Sequence, residues 1–199
     1  MNLNKKQMIL EEIFNEFDLT DSPFNEKESQ LFDHYFEKTL IKRNTFIIRE
    51  GEEEKYSYFI YKGILRCWVP DQNGNERTFW FCKEGSFSLS NIAFTLKEKS
   101  TFNVQTLVDC EVYRIDHKTA RELYEAIPGL KTVFENLTAR LLDRLLKRNI
   151  DLIKYDSKQY YLNMIDEFGV TLNYIPLKDV ASYLGITPQA LSRIRKRIF

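Results

Sequence analysis

The chain has 199 residues, with 29 basic and 29 acidic side chains and a formal net charge of zero. That balance excludes a globally basic coat for nucleic acid and leaves room only for a local basic face. Hydrophobic residues at 43% and aromatics at 14% supply a sizeable core, and 7 Gly with 5 Pro exclude collagen-like or linker-rich architecture.

No apolar run approaches the roughly 20 residues of a membrane span, so no membrane partner is expected. Residues 1–6 lead into an acidic stretch and have the form of neither a signal nor a transit peptide. Cys67, Cys82 and Cys110 form no CxxC pair and read as reduced, buried thiols of a cytoplasmic protein. The two His, His34 and His117, have no second ligand at metal spacing. No phosphate-cradling loop, dinucleotide fingerprint or nucleophile elbow occurs. The expectation is therefore no catalytic residue, no metal and no cofactor, with His117 a surface residue closing a strand.

In chain order, Met8, Ile9, Ile13 and Phe17 predict one helix. Leu31, Phe32, Tyr35 and Phe36 predict another after the Ser22-Pro23 start signal. From about residue 40 to 115 the period changes to that of strands: 45–49, 56–61, 64–69, 77–81, 104–108 and 111–115. Asn73-Gly74 predicts a tight hairpin turn. Short strands with regular turns predict a β-roll or barrel flanked by helices. Residues 130–155 contain no Gly or Pro and predict one helix roughly 37 Å long. Leu130, Phe134, Leu137, Leu141 and Leu145 form its stripe, widened by Leu142, Leu146, Ile150 and Ile153. Two readings stand: a dimer seam with the same helix of a second chain, or a core helix within a monomer. A further helix runs from a Ser157 N-cap to Phe168 and ends at Gly169, and residues 170–176 form a connector with strand character.

Residues 177–199, LKDVASYLGITPQALSRIRKRIF, carry the sharpest signal. Two short helices crossing around a tight turn need a small residue at their contact, here Ala181, and a left-handed turn residue, here Gly185. Val180, Leu184, Ile186, Leu191 and Ile194 are apolar where the helices meet. Thr187 caps the second helix and Pro188 suits its first turn. Gln189, Ser192, Arg193 and Lys196 then face outward, and Arg195 and Arg197 add charge with no acid between. Gln and Arg suit adenine and guanine edges in the major groove. The competing reading is a solvated basic helix in a packed hairpin.

The order helix, β-roll, long helix, helix-turn-helix resembles the Crp/Fnr superfamily of bacterial transcription regulators. The stretch IPLKDVASYLGITPQALSRIRK, residues 175–196, looks like the Bacteroidetes branch of that family. Weaker marks are Glu50-Gly51, Gly63 before Ile64-Leu65-Arg66, Asn73-Gly74 and Gly85-Ser86-Phe87. The resemblance implies an α+β chain: a cyclic-nucleotide-binding-like jelly roll with flanking helices over residues 1–127, a dimerisation helix over 128–155, and a winged-helix-like reader over 156–199. It implies a homodimer on an inverted repeat of double-stranded DNA, with RNA polymerase as a further partner. The base-reading positions would be Pro188, Gln189, Ser192 and Arg193. No residues follow Phe199 to form the family's β-hairpin wing.

The sensor cassette departs from the family. The family supplies a Glu for the ribose and an Arg followed by Ser for the cyclic phosphate. At family spacing from Gly85, this chain has Leu89, Ser90 and Asn91, then Ser100 and Thr101. Lys97 and Lys99 lie nearby but offer no planar fork. The expectation is a pocket that does not respond to cyclic AMP. It either takes another effector, of unknown kind, or is vestigial and filled by aromatics such as Phe87, Phe94 and Phe102. Two functions of other classes compete: a cupin-like enzyme on the roll, which would need clustered His, and a protein-interaction module without DNA binding.

Overall fold

The computed structural model describes residues 26–198. The helix expected around Met8 to Phe17 and the Ser22-Pro23 signal lie outside the described residues. The first described helix, α1, is Glu26–His34. It leads into seven antiparallel strands: β1 Glu37–Ile41, β2 Phe46–Ile48, β3 Tyr56–Lys62, β4 Leu65–Pro70, β5 Glu76–Cys82, β6 Asn103–Thr106 and β7 Cys110–Asp116. They form two sheets, ordered β1-β7-β3 and β2-β6-β4-β5.

Side chains alternate across a strand, and both faces of β3 and β7 are used. Tyr58, Ile60 and Val112 point between the sheets and join Ile48, Leu65, Cys67, Cys82 and Val104 in the roll's core. Phe59 and Ile115 point the other way, under the helices. Full burial of a residue such as Phe59 contributes about 1.5–3 kcal/mol. All three cysteines are buried and unbridged.

Three elements escaped the sequence pattern. β1 is an edge strand paired only to β7, and its Leu40 is exposed, so no alternation marks it. α2, Asn91–Leu96, is too short to show a period; it ends at Lys97, a non-glycine residue with a left-handed φ of 55°. α3, His117–Ala126, starts at Asp116, whose carboxylate accepts the Thr119 N–H at 2.9 Å. His117 is thus a half-buried first helical residue, stacked on Phe94 at 4.0 Å, and not a surface residue ending a strand. The hairpin is also wider than expected. Asp71 accepts the Asn73 and Asn75 N–H groups, and of the Asn73-Gly74 pair only Gly74 has positive φ.

α4, Leu130–Lys154, is the long helix, with 25 residues. Its first half belongs to the chain's own core: Leu130 and Leu137 are buried with Phe32, Phe59 and Ile127. Phe134 packs on that cluster, Leu141 packs on the roll, and Leu145 is half-buried. The stripe named from sequence therefore faces inward over most of its length. Leu142, Leu146, Ile150 and Ile153 are each more than half exposed. Leu142 follows Leu141 by about 100° around the helix, which is why a single seam splits into two faces.

α5, Ser157–Phe168, begins at Asp156 and not at Ser157: the Asp156 carboxylate accepts the Gln159 N–H at 2.8 Å. A 3-10 helix, Gly169–Tyr174, replaces the strand-like connector. α6, Leu177–Tyr183, and α7, Pro188–Ile198, complete the described chain.

Candidate functional site: an outward basic helix and a closed cassette

The turn between α6 and α7 is built as its residues demand. Gly185 has φ +70°, and the Ile186 N–H reaches back to the Ala181 carbonyl at 3.0 Å. Ala181 and Leu191 are fully buried where the two helices touch, with Val180 and Leu184 beside them. The Thr187 hydroxyl accepts the Ala190 N–H at 3.2 Å and fixes the start of α7. Thr187, Pro188, Gln189, Arg193, Arg195, Lys196 and Arg197 are exposed, and Ser192 is half-buried. Among the described residues, none of the four basic side chains of α7 has an acidic partner. Gln189 and Arg193 stand four residues apart, so both leave the same face.

What holds α6 was not visible in the sequence. Arg66 on β4 is 3% exposed. Its Nε donates to the Thr78 hydroxyl at 2.7 Å, its Nη1 to Glu76 at 2.6 Å, and its Nη2 lies 3.4 Å from Asp179 on α6. Asp179 is 3% exposed, and burial pushes its carboxyl pKa up despite Arg66. One turn on, the Ser182 hydroxyl accepts the Thr78 N–H at 2.8 Å and donates to the Glu76 carbonyl. Phe81 of β5 lies against Phe168 and Tyr183, with ring centroids 5.9 and 5.3 Å away. Arg148 of α4 lies over the Tyr183 ring and donates to its carbonyl. Roll, long helix and the α6–α7 pair thus meet at Tyr183.

The cassette is closed on itself. Gly85 has φ +81°, and its N–H donates to the Ile60 carbonyl. The buried hydroxyls of Ser88 and Ser90 are 2.8 Å apart. The Ser100 hydroxyl donates to the Phe102 carbonyl at 2.7 Å. Leu89 is buried, Asn91 half-buried and Thr101 exposed. Lys97, Glu98 and Lys99, the charged residues between Gly85 and Thr101, all face solvent. Of the three aromatics expected to fill the roll, only Phe102 does so, edge-on to Phe79 at 5.3 Å. Phe87 packs outside the roll against Phe59 and Phe134, and Phe94 is taken by His117.

Glu54, beside Ser90, is 5% exposed. One carboxyl oxygen accepts the Tyr56 N–H at 3.3 Å, while Oε2 makes no hydrogen bond in the geometry. Burial raises its pKa to about 7, with the Ser90 hydroxyl opposing the shift. The Cys67 and Cys82 sulfurs lie 3.8 Å apart in the roll, and burial pushes the Cys67 thiol pKa up. Among the described residues no group of three His, Cys, Asp or Glu is placed to hold a metal, and no helix is long and apolar enough to cross a membrane.

The family described as cyclic nucleotide-binding domain matches residues 38–126. The human potassium/sodium hyperpolarization-activated cyclic nucleotide-gated channel 4 is 29% identical over 108 residues, 54% of this chain and 8% of that protein. The chain thus spans under a tenth of the length of that relative. Among solved structures, FixK2 from Bradyrhizobium japonicum superposes with a TM-score of 0.70 and 15% identity, covering 82% of this chain and 84% of that one. The c-di-GMP responsive global regulator CLP from Xanthomonas campestris gives 0.67 and 13%, covering 87% and 91%. The catabolite activator protein of Thermus thermophilus gives 0.56 and 19%, covering 94% and 86%. Residues 38–126 therefore match the cyclic nucleotide-binding domain family, and the chain shares the fold of these three proteins.

Proposed function

We propose that the protein is a homodimeric, sequence-specific DNA-binding transcription regulator whose cassette does not take up cyclic AMP or cyclic GMP. One observation carries the DNA reading: a helix capped at Thr187 presents Gln189 and Arg193 outward beside three more cations that have no acidic partner among the described residues. Gln and Arg hydrogen-bond base edges in pairs, and the flanking Arg195, Lys196 and Arg197 suit phosphates, which position the helix without reading sequence. The names of the structural neighbours, regulators and not enzymes, support the same reading. The working units are a sensor over residues 1–127, a dimer helix over 128–155 and a reader over 156–199.

The dimer rests on the outward stripe Leu142, Leu146, Ile150 and Ile153, not on Leu137 and Leu141. Two readers across such a seam would meet an inverted repeat with half-sites about 34 Å apart. Refusal of cyclic nucleotides rests on Ser90 and Ser100, whose hydroxyls are engaged inside the chain where a carboxylate and a guanidinium are needed. An anion buried without a cation is costly.

Selection of bound sequences from random duplex DNA, with ligand-free protein and again with cyclic AMP, tests the reading. One inverted repeat should emerge under both conditions. Enrichment of no sequence, or enrichment only with the nucleotide, overturns it.

A further inference from the structure

The Cys67 and Cys82 sulfurs lie 3.8 Å apart in the core of the roll, on the neighbouring strands β4 and β5. Both residues are fully buried. Cys67 stands opposite Trp80 and Cys82 opposite Leu65, so the two are diagonal neighbours and not a facing pair. Diagonal neighbours stand about 7–8 Å apart, slightly less at the β-carbons, whereas a disulfide needs β-carbons about 3.5–4.5 Å apart. The sulfurs would also have to close to about 2.05 Å, a movement of roughly 1.8 Å. A metal ion set between them asks for less. With two metal–sulfur bonds in line, each near the zinc–thiolate length of about 2.3 Å, the sulfurs would stand about 4.6 Å apart, roughly 0.8 Å further than they do. Two further groups suit a thiolate pair. The Leu89 N–H donates to the Cys82 sulfur at 3.3 Å. Burial pushes the Cys67 thiol pKa up, and the Arg66 guanidinium opposes that push. The third cysteine is directed elsewhere: the Cys110 thiol donates to the Val108 carbonyl at 3.3 Å.

We infer that Cys67 and Cys82 form a two-coordinate site for a soft monovalent cation of the Cu(I) class. Thiolates select soft ions, and a zinc ion would need two more ligands to complete its tetrahedron. The ion displaces both thiol protons: one Cu(I) and two thiols give a dithiolate complex with one negative charge and two free protons, with no change of oxidation state. The Leu89 N–H and Arg66 offset the charge that remains. Because both thiols are buried, the ion enters by local opening of the roll, and loading is slow. Arg66 and Phe81, next in sequence to the two cysteines, hold α6 through Asp179 and Tyr183. Separating the two sulfurs would therefore act on the seat of α6. That consequence rests on the DNA-binding reading above; the binding itself does not.

The test uses the whole chain, reduced and free of oxygen, brought to equilibrium with the Cu(I)–bicinchoninate complex, whose colour fades as the chelator gives up its metal. Transfer of one Cu(I) per chain is expected. Cys67→Ala and Cys82→Ala should each weaken capture by roughly hundredfold or more, about 2.8 kcal/mol. Cys110→Ala should retain it, and thermal melting checks that the variants fold. Since two protons leave, capture should strengthen with pH, by up to roughly hundredfold per unit while both thiols are protonated. X-ray absorption on the loaded wild-type chain should show two sulfur neighbours around the copper and no nitrogen or oxygen, a readout that depends on no variant. Absence of transfer, capture unchanged in both Cys67→Ala and Cys82→Ala, loss of capture in a folded Cys110→Ala, or a copper shell that is not two sulfurs would each overturn the assignment. Because DNA plays no part, failure here leaves the reading of α7 standing, and failure of DNA binding leaves this result intact.

Discussion

The segment 85–101 and the helix α7 treat their polar groups in opposite ways. In the cassette, Ser88 bonds Ser90, Ser100 bonds the backbone, and every charged side chain faces solvent. Along α7, Gln189, Arg193, Arg195, Lys196 and Arg197 are held outward on a capped helix, with no acidic partner among the described residues. A group whose hydrogen bonds are already made inside the chain has little to offer a ligand, because binding would first have to break them. That contrast is why the proposed reading puts recognition at α7 and not at the cassette.

Removing a buried member of the joint between the two regions should have the largest effect. Arg66→Ala leaves Asp179 buried without its cation, at a cost of about 3–5 kcal/mol. Chemical denaturation measures it, and Arg66→Leu with Asp179→Leu should recover much of the loss. A single-variant loss below 1 kcal/mol would mean that the ion pair does not hold α6.

The dimer seam comes next. Leu146→Glu or Ile150→Glu places a carboxylate in the proposed interface, and sedimentation should show monomers with intact secondary structure. Leu137→Glu, by contrast, should unfold the sensor, because Leu137 packs in the chain's own core. If Leu146→Glu and Ile150→Glu both remain dimeric, the outward stripe is not the seam.

Glu54 makes the cassette's closed state sensitive to pH. In the unfolded chain its carboxyl ionises near pH 4.5; in the fold it keeps its proton to about pH 7. Between those values the folded state holds the extra proton, so stability falls as pH rises. The loss is roughly 3 kcal/mol across that window. Glu54→Gln should flatten this part of the stability profile, and a profile equally steep in the variant would remove Glu54 as its source.

The α6–α7 helix pair was legible in the sequence because its determinants are local. Gly185, Thr187, Pro188 and the apolar spacing from Val180 to Ile194 act within about a dozen residues, and each sits where its physics requires. The cassette's departures at Ser90 and Ser100 were legible too, since only residue type was at issue. Contacts between distant segments were not. No pattern around Arg66 announces Asp179, and nothing near Glu54 announces Ser90. The long helix shows the same limit: apolar spacing marked the stripe, but only tertiary packing separates the face at Leu137 and Leu141 from the one at Leu146 and Ile150. Asp156, next to a Ser157 that could also cap, shows how little separates two neighbouring caps before the helix is formed.

The central claim is that Arg193 reads a base from an outward helix, and equilibrium binding of Arg193→Ala to the selected duplex and its single-base variants tests it most directly. The account predicts a loss of about 1–3 kcal/mol of discrimination at one base pair per half-site, with non-specific binding nearly unchanged. Lys196→Ala, measured alongside, should weaken all sequences evenly and flatten the salt dependence. Unchanged affinity and base preference in Arg193→Ala would contradict the account.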